Sequence, residues 1–184
     1  MKFTRRRWLQ TVIAGGAGLS LARLASAQEA GITPADERTL ELFNTHTNES
    51  ARVVFRRGNE YDPAALATLR NLLRDHRNGE SHDIDTGLYD QLYALAQAAH
   101  CEPRFEIISG YRSPESNAKM STPGSGVAKH SLHMQGRAMD VRVHNCSCED
   151  LRDLALTAAR GGVGYYKRSN FVHIDTGAFR TWIG

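Results

Sequence analysis

The sequence predicts an α+β fold in which an antiparallel sheet is flanked by helices. Three observations support it: leucines recur at helical spacing in the first half, two late segments alternate between apolar and polar residues, and most of the strand signals follow the helices. The chain has 184 residues, a length that suggests one domain with one adequate core.

Apolar spacing sets the elements of the first half. Residues 40–43 begin a short strand, and residues 53–55 are its expected hairpin partner across a polar turn. Pro63 then opens a helix, because a proline at the first helical position is preset for helical geometry. Asp85 or Thr86 caps a second helix. The positions expected to face inward from these helices are Leu66, Leu69, Leu72, Leu73, Leu88, Leu92, Leu95 and Ala96.

Strand signals dominate the second half. Residues 105–108 are rich in β-forming side chains, and a loop rich in Gly, Ser and Pro then runs to about Lys129. Residues 138–143 alternate in character and predict a strand. The remaining expected elements are a helix at 150–160 and two closing strands at 163–166 and 171–175.

The N-terminus has the layout of a secretory signal peptide. Lys2, Arg5, Arg6 and Arg7 form a basic start, residues 8–22 are uncharged, and Ala25-Ser26-Ala27 offers a small-x-small cleavage site. The uncharged stretch is shorter than the roughly 20 strongly apolar residues that a membrane-spanning helix needs. We therefore expect cleavage after Ala27 and no stable membrane anchor.

The start of this segment also suggests an export route. Residues 4–10 resemble the twin-arginine signal, in which an arginine pair is followed by a free position, an aromatic residue and Leu. An ordinary Sec signal with a basic start is the alternative. Either machinery would export the chain, with residues 28–37 as a flexible lead and 38–184 as the folded domain.

The basic charge of the chain belongs to this segment. The whole sequence has 23 Lys and Arg against 20 Asp and Glu, a net charge of +3. Residues 1–27 contain five of the basic residues and no acidic ones, which leaves 18 against 20. The composition therefore gives no reason to expect nucleic acid as a partner.

All three cysteines, Cys101, Cys146 and Cys148, lie in the expected domain. An odd number in an oxidising compartment permits one disulfide and leaves one thiol. A bond from Cys101 to one member of the Cys146/Cys148 pair is plausible, and the sequence does not choose between them.

Two strands each direct an ionisable side chain away from their apolar face. Alternation puts Asp140 on the polar face of 138–143 and His173 on the polar face of 171–175. A charge at the centre of a strand on a packed sheet is costly unless it is paired or bound to a metal. If the two strands are neighbours, Asp140 and His173 converge.

A third residue completes a candidate zinc site. His133 lies seven residues before Asp140, in a turn where Gly136 permits a tight bend. Two neutral imidazoles and one carboxylate leave the fourth zinc position open for water, as in catalytic sites. The alternatives are three unrelated polar residues, or a structural zinc site closed by Cys146 or Cys148.

A family resemblance rests on residues 131–140, which resemble the Ser-x-His-x-x-Gly-x-Ala-x-Asp motif of the zinc D-Ala-D-Ala metallopeptidases. These enzymes share a fold with lysostaphin-type enzymes and the hedgehog signalling domain. Over residues 38–184 the chain resembles more closely their YcbK-type, MepK-like branch of murein endopeptidases. The other segments that carry the resemblance are 109–114, 126–131, 161–166, 171–177 and 180–182.

The resemblance implies roles for individual residues. It implies that His133, Asp140 and His173 bind one Zn²⁺ per chain, that Arg112 holds or polarises the substrate, and that Ser131 contacts it. A guanidinium suits a carbonyl or carboxylate because its planar fork donates two hydrogen bonds. The alternative for Arg112 is a salt bridge that stabilises its loop.

The general base departs from the pattern of the wider superfamily. Many members carry Glu or His two or three residues before the last zinc histidine, where this chain has Phe171 and Asn170. Asp175 is the nearest carboxylate, and it can act as the base, orient a ligand histidine or pair with Arg180. His130 is the second candidate base.

The resemblance implies a zinc endopeptidase that cuts the D,D peptide crosslinks of peptidoglycan, and together with the signal segment it implies a periplasmic location. Of the adjacent Tyr165 and Tyr166, one belongs in the core, and Tyr166 is the candidate for lining a substrate groove. A D-Ala-D-Ala carboxypeptidase is the close alternative. A non-catalytic wall-binding protein is the other, since the upstream base is missing.

Overall fold

A computed structural model describes residues 36–184, so the expected signal peptide and residues 28–35 of the expected lead lie outside the described residues. The described part forms an eight-stranded, mostly antiparallel mixed sheet with four helices, which confirms the α+β prediction. The strands are β1 (Glu37–Asn44), β2 (Ser50–Arg57), β3 (Glu60–Tyr61), β4 (Arg104–Ser109), β5 (Ala138–Val143), β6 (Gly162–Tyr166), β7 (Phe171–Asp175) and β8 (Arg180–Ile183). The helices are α1 (Pro63–Leu72), α2 (Thr86–Ala98), α3 (Pro114–Met120) and α4 (Cys148–Ala158).

The strand order places β5 near the middle of the sheet. The order is β3-β2-β1-β4-β5-β7-β6-β8. The β1–β4 and β6–β8 pairs are parallel, and the other neighbours are antiparallel. β5 therefore lies between β4 and β7, where both of its edges form hydrogen bonds.

Helices α1, α2 and α4 pack against the apolar side chains of the sheet. All of the positions predicted to face inward from α1 and α2 are buried in this core except Leu66, which is partly buried. Full burial of a leucine contributes roughly 1.5–3 kcal/mol relative to exposure. Met139 and Val141 of β5 and Val172 and Ile174 of β7 join the same core, as their alternation predicts.

Helix α3, strand β8 and the two-residue strand β3 were not expected from the sequence. The loop after β4 contains α3, which Ser113 caps by accepting a hydrogen bond from the Ser116 amide, with Pro114 in its first turn. This helix has only seven residues and no periodic apolar face, so apolar spacing does not reveal it. The chain end forms β8 on the edge of the sheet, paired with β6.

The remaining differences concern element boundaries. The fourth helix begins at Cys148 rather than at Asp150, because the Ser147 side chain caps it. Strands β1 and β2 are longer than the predicted segments 40–43 and 53–55, and they form the expected antiparallel hairpin before the first helix. Within residues 36–184, no helix combines the length and apolar character needed to cross a bilayer.

Candidate metal centre

Asp140 and His173 face each other across two neighbouring strands. β5 and β7 are antiparallel partners, and their register pairs Asp140 directly with His173. The His173 Nδ1 atom lies 2.9 Å from Asp140 Oδ1. The predicted convergence of these two side chains is confirmed.

His133 reaches the same point from the loop before β5. It lies in a short 3-10 helix, Leu132–Gln135, which Ser131 caps by accepting a hydrogen bond from the His133 amide. The helix ends at Gly136, which has a φ of +64° and lies so close to the Asp83 carbonyl that any side chain would collide with it. This turn places His133 Nε2 3.4 Å from Asp140 Oδ1.

The second nitrogen of each imidazole is occupied by an acceptor. His133 Nδ1 lies 2.8 Å from the Gly110 carbonyl oxygen, which can only accept, so Nδ1 carries the proton. His173 Nε2 lies 3.1 Å from Asp175 Oδ2 and donates to that carboxylate in the same way. In the neutral rings, His133 Nε2 and His173 Nδ1 are then left as lone pairs, 3.3 Å apart.

The donor set fits a metal ion. The three ligand atoms of His133, Asp140 and His173 lie within 4.8 Å of one another, and all three residues are buried. Two imidazole lone pairs and a carboxylate oxygen repel one another unless a cation lies among them. Acceptors behind metal-binding imidazoles, as seen here, fix the tautomer and orientation of each ring. Neither Cys146 nor Cys148 belongs to the group.

The electrostatics of the group favour a charged carboxylate. Burial alone raises the pKa of Asp140, but when the imidazoles are protonated the charges and hydrogen bonds of His133 and His173 outweigh burial and hold that pKa below its usual range. Burial lowers the pKa of His173, and the hydrogen bonds and charges of Asp140 and Asp175 reverse this and raise it. The carboxylate is therefore available as a ligand at neutral pH.

Asp175 lies behind His173 and is fully buried. Its oxygens accept hydrogen bonds from the Gly162 and Gly177 amides at 2.8 Å and from Arg180 at 2.6 Å, besides His173. These contacts outweigh burial and lower the pKa of Asp175. Asp175 therefore makes both of the contacts considered for it other than proton transfer: it contacts His173 and it pairs with Arg180.

Arg112 lies on the other side of Asp140. Its side chain is 8% exposed, and Nη2 is 3.9 Å from Asp140 Oδ2. Nη1 donates to Asn117 and Nη2 to Ser109, both at 3.3 Å, while the buried Nε–H has no hydrogen-bond partner within the described residues. Burial lowers the pKa of Arg112 and Asp140 opposes this, but a guanidinium stays charged at neutral pH.

The metal group opens into a cavity of about 570 Å³. Every other predicted site residue except Asp175 lines it: Arg112, His130, Ser131 and Tyr166. His130 is exposed, Ser131 is buried and serves as the helix cap described above, and Tyr166 is half-buried. Tyr165 is in the core, as expected for one member of that pair.

Trp182 is a cavity residue whose position the sequence did not indicate. Its indole Nε1 donates to the Tyr166 hydroxyl at 3.0 Å, and its ring lies 5.0 Å from the His173 ring. Across the sheet, Gly164 stands between His173 and Trp182, and a side chain at that position would collide with the indole. The only sequence signal was the place of residues 180–182 in the family resemblance.

The buried His-Asp-His group and the family that the chain matches together identify the chain as a metallopeptidase. A family model described as peptidoglycan L,D-endopeptidase MepK matches residues 32–182. The chain belongs to this family of peptidoglycan endopeptidases, as the motif resemblance indicated.

Individual relatives align with nearly the whole chain. The peptidoglycan L,D-endopeptidase MepK of Escherichia coli K12 is 42% identical over 168 residues, which cover 91% of this chain and 92% of the relative. The corresponding protein of Shigella flexneri has the same identity and coverage. The probable peptidoglycan L,D-endopeptidase MepK of Haemophilus influenzae is 34% identical over 181 residues, 98% of this chain and 96% of the relative.

Proposed function

We propose that this chain is an exported zinc endopeptidase that hydrolyses L,D peptide crosslinks of peptidoglycan. The observation that carries the proposal is the buried group of His133, Asp140 and His173, whose three ligand atoms converge at one point of the cavity. The relatives are described as L,D-endopeptidases, so the L,D bond replaces the D,D bond expected from the sequence.

In this proposal His133, Asp140 and His173 hold one zinc ion through Nε2, a carboxylate oxygen and Nδ1. Two neutral imidazoles and a carboxylate are a common catalytic zinc set. A zinc ion bound there supplies Lewis-acid polarisation of a peptide carbonyl and lowers the pKa of water. Gly110 and Asp175 keep the two imidazoles in the required tautomers.

Arg112 is proposed to bind the oxygen of the scissile carbonyl. Its guanidinium lines the cavity with Nη2 3.9 Å from Asp140 Oδ2, so its planar fork can donate to a substrate oxygen beside the metal group. A fixed, desolvated cation stabilises negative charge that develops on that oxygen during attack. Ser131 and Tyr166 line the same cavity and are proposed to contact the substrate.

We propose that His130, rather than Asp175, exchanges protons with the substrate. Asp175 is fully buried behind His173 and is already bonded to two amides and Arg180. His130 is exposed and lines the cavity, and an imidazole nitrogen can accept or donate a proton. Asp175 is then a positioning residue for His173.

The charge of the cavity is consistent with a peptidoglycan peptide. Asp140 is the only carboxylate among the described residues that line it, whereas Arg77, Arg112 and Arg180 are cationic. Arg180 and Arg77 already pair with Asp175 and Asp75, so binding of Asp140 to a metal ion leaves Arg112 to attract a free carboxylate of a crosslinked wall peptide.

The proposed substrate and the sequence of residues 1–27 both support export of the chain. We propose that the twin-arginine or Sec machinery carries the chain to the periplasm and that cleavage follows Ala27. Mass spectrometry of the protein isolated from the periplasm tests this point, since a mature N-terminus other than Gln28 contradicts the cleavage site.

Substitution of one ligand separates an enzyme from a wall-binding protein. We expect His133→Ala to lose bound zinc and to cleave crosslinked peptides at less than about 1% of the wild-type rate, because two ligands no longer hold the ion. His144→Ala, a histidine on the β5–α4 connection outside the metal group, is the control. Equal cleavage by wild type and His133→Ala would contradict the proposed site.

A further inference from the structure

Cys101 and Cys146 lie on the two chain segments that flank one end of the β4–β5 ladder. β4 and β5 are antiparallel neighbours, and Phe105 pairs with Val143 near the end of their ladder. The His144 amide continues the pairing by donating to the Arg104 carbonyl at 2.9 Å. Cys101 precedes β4 by three residues and Cys146 follows β5 by three, so the ladder leads both to the same end.

The environments of the thiols distinguish Cys146 from Cys148. Cys101 and Cys146 are both half-buried and pack against the core. Burial raises the pKa of Cys146, and the hydrogen bond with Cys101 and the charge of Cys101 raise it further, to about 11. Cys148 is buried at the start of α4, where its Sγ donates to the Asn170 carbonyl at 3.4 Å.

We propose that Cys101 and Cys146 form a disulfide bond and that Cys148 remains a free thiol. The two thiols lose two protons and two electrons as the S–S bond forms. The disulfide of a thiol–disulfide oxidoreductase accepts them and becomes a dithiol, by way of a mixed disulfide between the proteins. The inference depends on the proposed export, because such oxidants persist outside the cytoplasm.

The fold permits oxidation after folding. The sheet register already holds the two segments together, and neither thiol is fully buried, so an oxidant can reach them in the native state. The bond would join the α2–β4 connection to the β5–α4 connection and close a loop of about 45 residues. It would therefore tie together the two strands that lead to Gly110 and Asp140 in the metal centre.

The direct test is a peptide map of the mature protein after equilibration with oxidised and reduced glutathione. We expect an intact mass lower by two hydrogens than that of the reduced protein, and one alkylatable thiol per unfolded chain. Trypsin places Cys101 in the peptide 78–104 and both other cysteines in the peptide 143–152. Fragmentation of the linked pair should assign the bond to Cys146.

Three serine variants provide matched controls. Cys148→Ser should keep the linked peptides and the oxidised melting temperature. Cys101→Ser and Cys146→Ser should lose both and melt about 5–10 °C lower, at the temperature of the reduced wild type. Three alkylatable thiols after oxidation, or a bond that includes Cys148, would overturn the pairing. The map requires no catalytic activity, so its result is independent of the proposed reaction.

Discussion

The carboxylate of Asp175 holds the His173 ring from the side opposite the metal group. Asp175→Asn keeps the size of the side chain and removes its charge. We expect zinc affinity to fall about 10–100-fold and turnover to fall with it, because the partner that fixes the imidazole is weakened. Competition with a chromogenic chelator measures the affinity, and Asp153→Asn on the exposed face of α4 is the control.

The same variant distinguishes the two roles considered for Asp175. A general base contributes about 10²–10⁴-fold to the rate without holding the metal. Wild-type zinc affinity together with a large loss of kcat and of the acid limb of the pH profile would therefore refute the positioning role.

Arg112 offers a second test at the scale of a residue. Arg112→Lys keeps the positive charge but loses the planar fork and the unpaired Nε–H. We expect kcat/KM to fall about 10–100-fold with the zinc content unchanged, since the interaction lost is with substrate. The control is Arg142→Lys, which should keep its activity because Arg142 lies on the same face of β5 as Asp140 but outside the cavity.

The alternative for Arg112 makes a different prediction. If the side chain only stabilises its loop, Arg112→Lys should lower the unfolding free energy, and full activity should remain wherever the protein is folded. Parallel urea denaturation and steady-state kinetics decide between these outcomes.

The segment that carries Arg112 is itself held by a buried carboxylate. Asp75 follows α1 and is fully buried, and its Oδ2 accepts from the Ser113 amide and hydroxyl at 2.9 Å. Burial would raise the pKa of Asp75, but these contacts, with Ser116 and the Arg77 amide, lower it. The start of α3 is thereby fixed to the segment that follows α1.

The pH dependence of stability tests this anchor. A carboxyl group whose folded pKa is depressed stabilises the fold above its unfolded pKa of about 3.9, and this stabilisation is lost as the pH falls towards the folded value. We expect Asp75→Asn to cost about 1–3 kcal/mol at pH 7, and the difference from wild type to shrink below about pH 4. Glu60→Gln, an exposed carboxylate on β3, is the control. A difference that stays constant down to pH 2 would contradict the anchor.

Much of the site could be predicted because it depends on alternation within strands. Period two put Asp140 and His173 on the polar faces of β5 and β7, and the register then made them partners. Pairing of β5 with β7 could only be assumed, since strand order depends on contacts distant in sequence. The contact of the Gly110 carbonyl with His133 could not be predicted either. Every residue has a backbone carbonyl, and nothing in the sequence marks this one.

At the scale of the whole molecule, one face of the central strands β5 and β7 stabilises the fold and the other carries the metal group. The apolar residues of β5 and β7 pack into the core with α2 and α4, while Asp140 and His173 on the alternate positions face the cavity. The loop between β4 and β5 contributes much of the cavity wall, and β8 adds Arg180 and Trp182. These are the segments that apolar spacing predicted least well, since α3 is polar and β8 is a four-residue edge strand.

Digestion of purified crosslinked peptidoglycan fragments by the mature protein, read by mass spectrometry, tests the central claim most directly. Dimers joined by L,D bonds should be converted to monomers, a zinc chelator should stop the reaction, and added zinc should restore it. Cleavage of D,D-linked dimers instead would contradict the proposed bond, and release of terminal D-Ala alone would indicate a carboxypeptidase. Intact dimers in the presence of zinc-loaded protein would contradict the endopeptidase altogether.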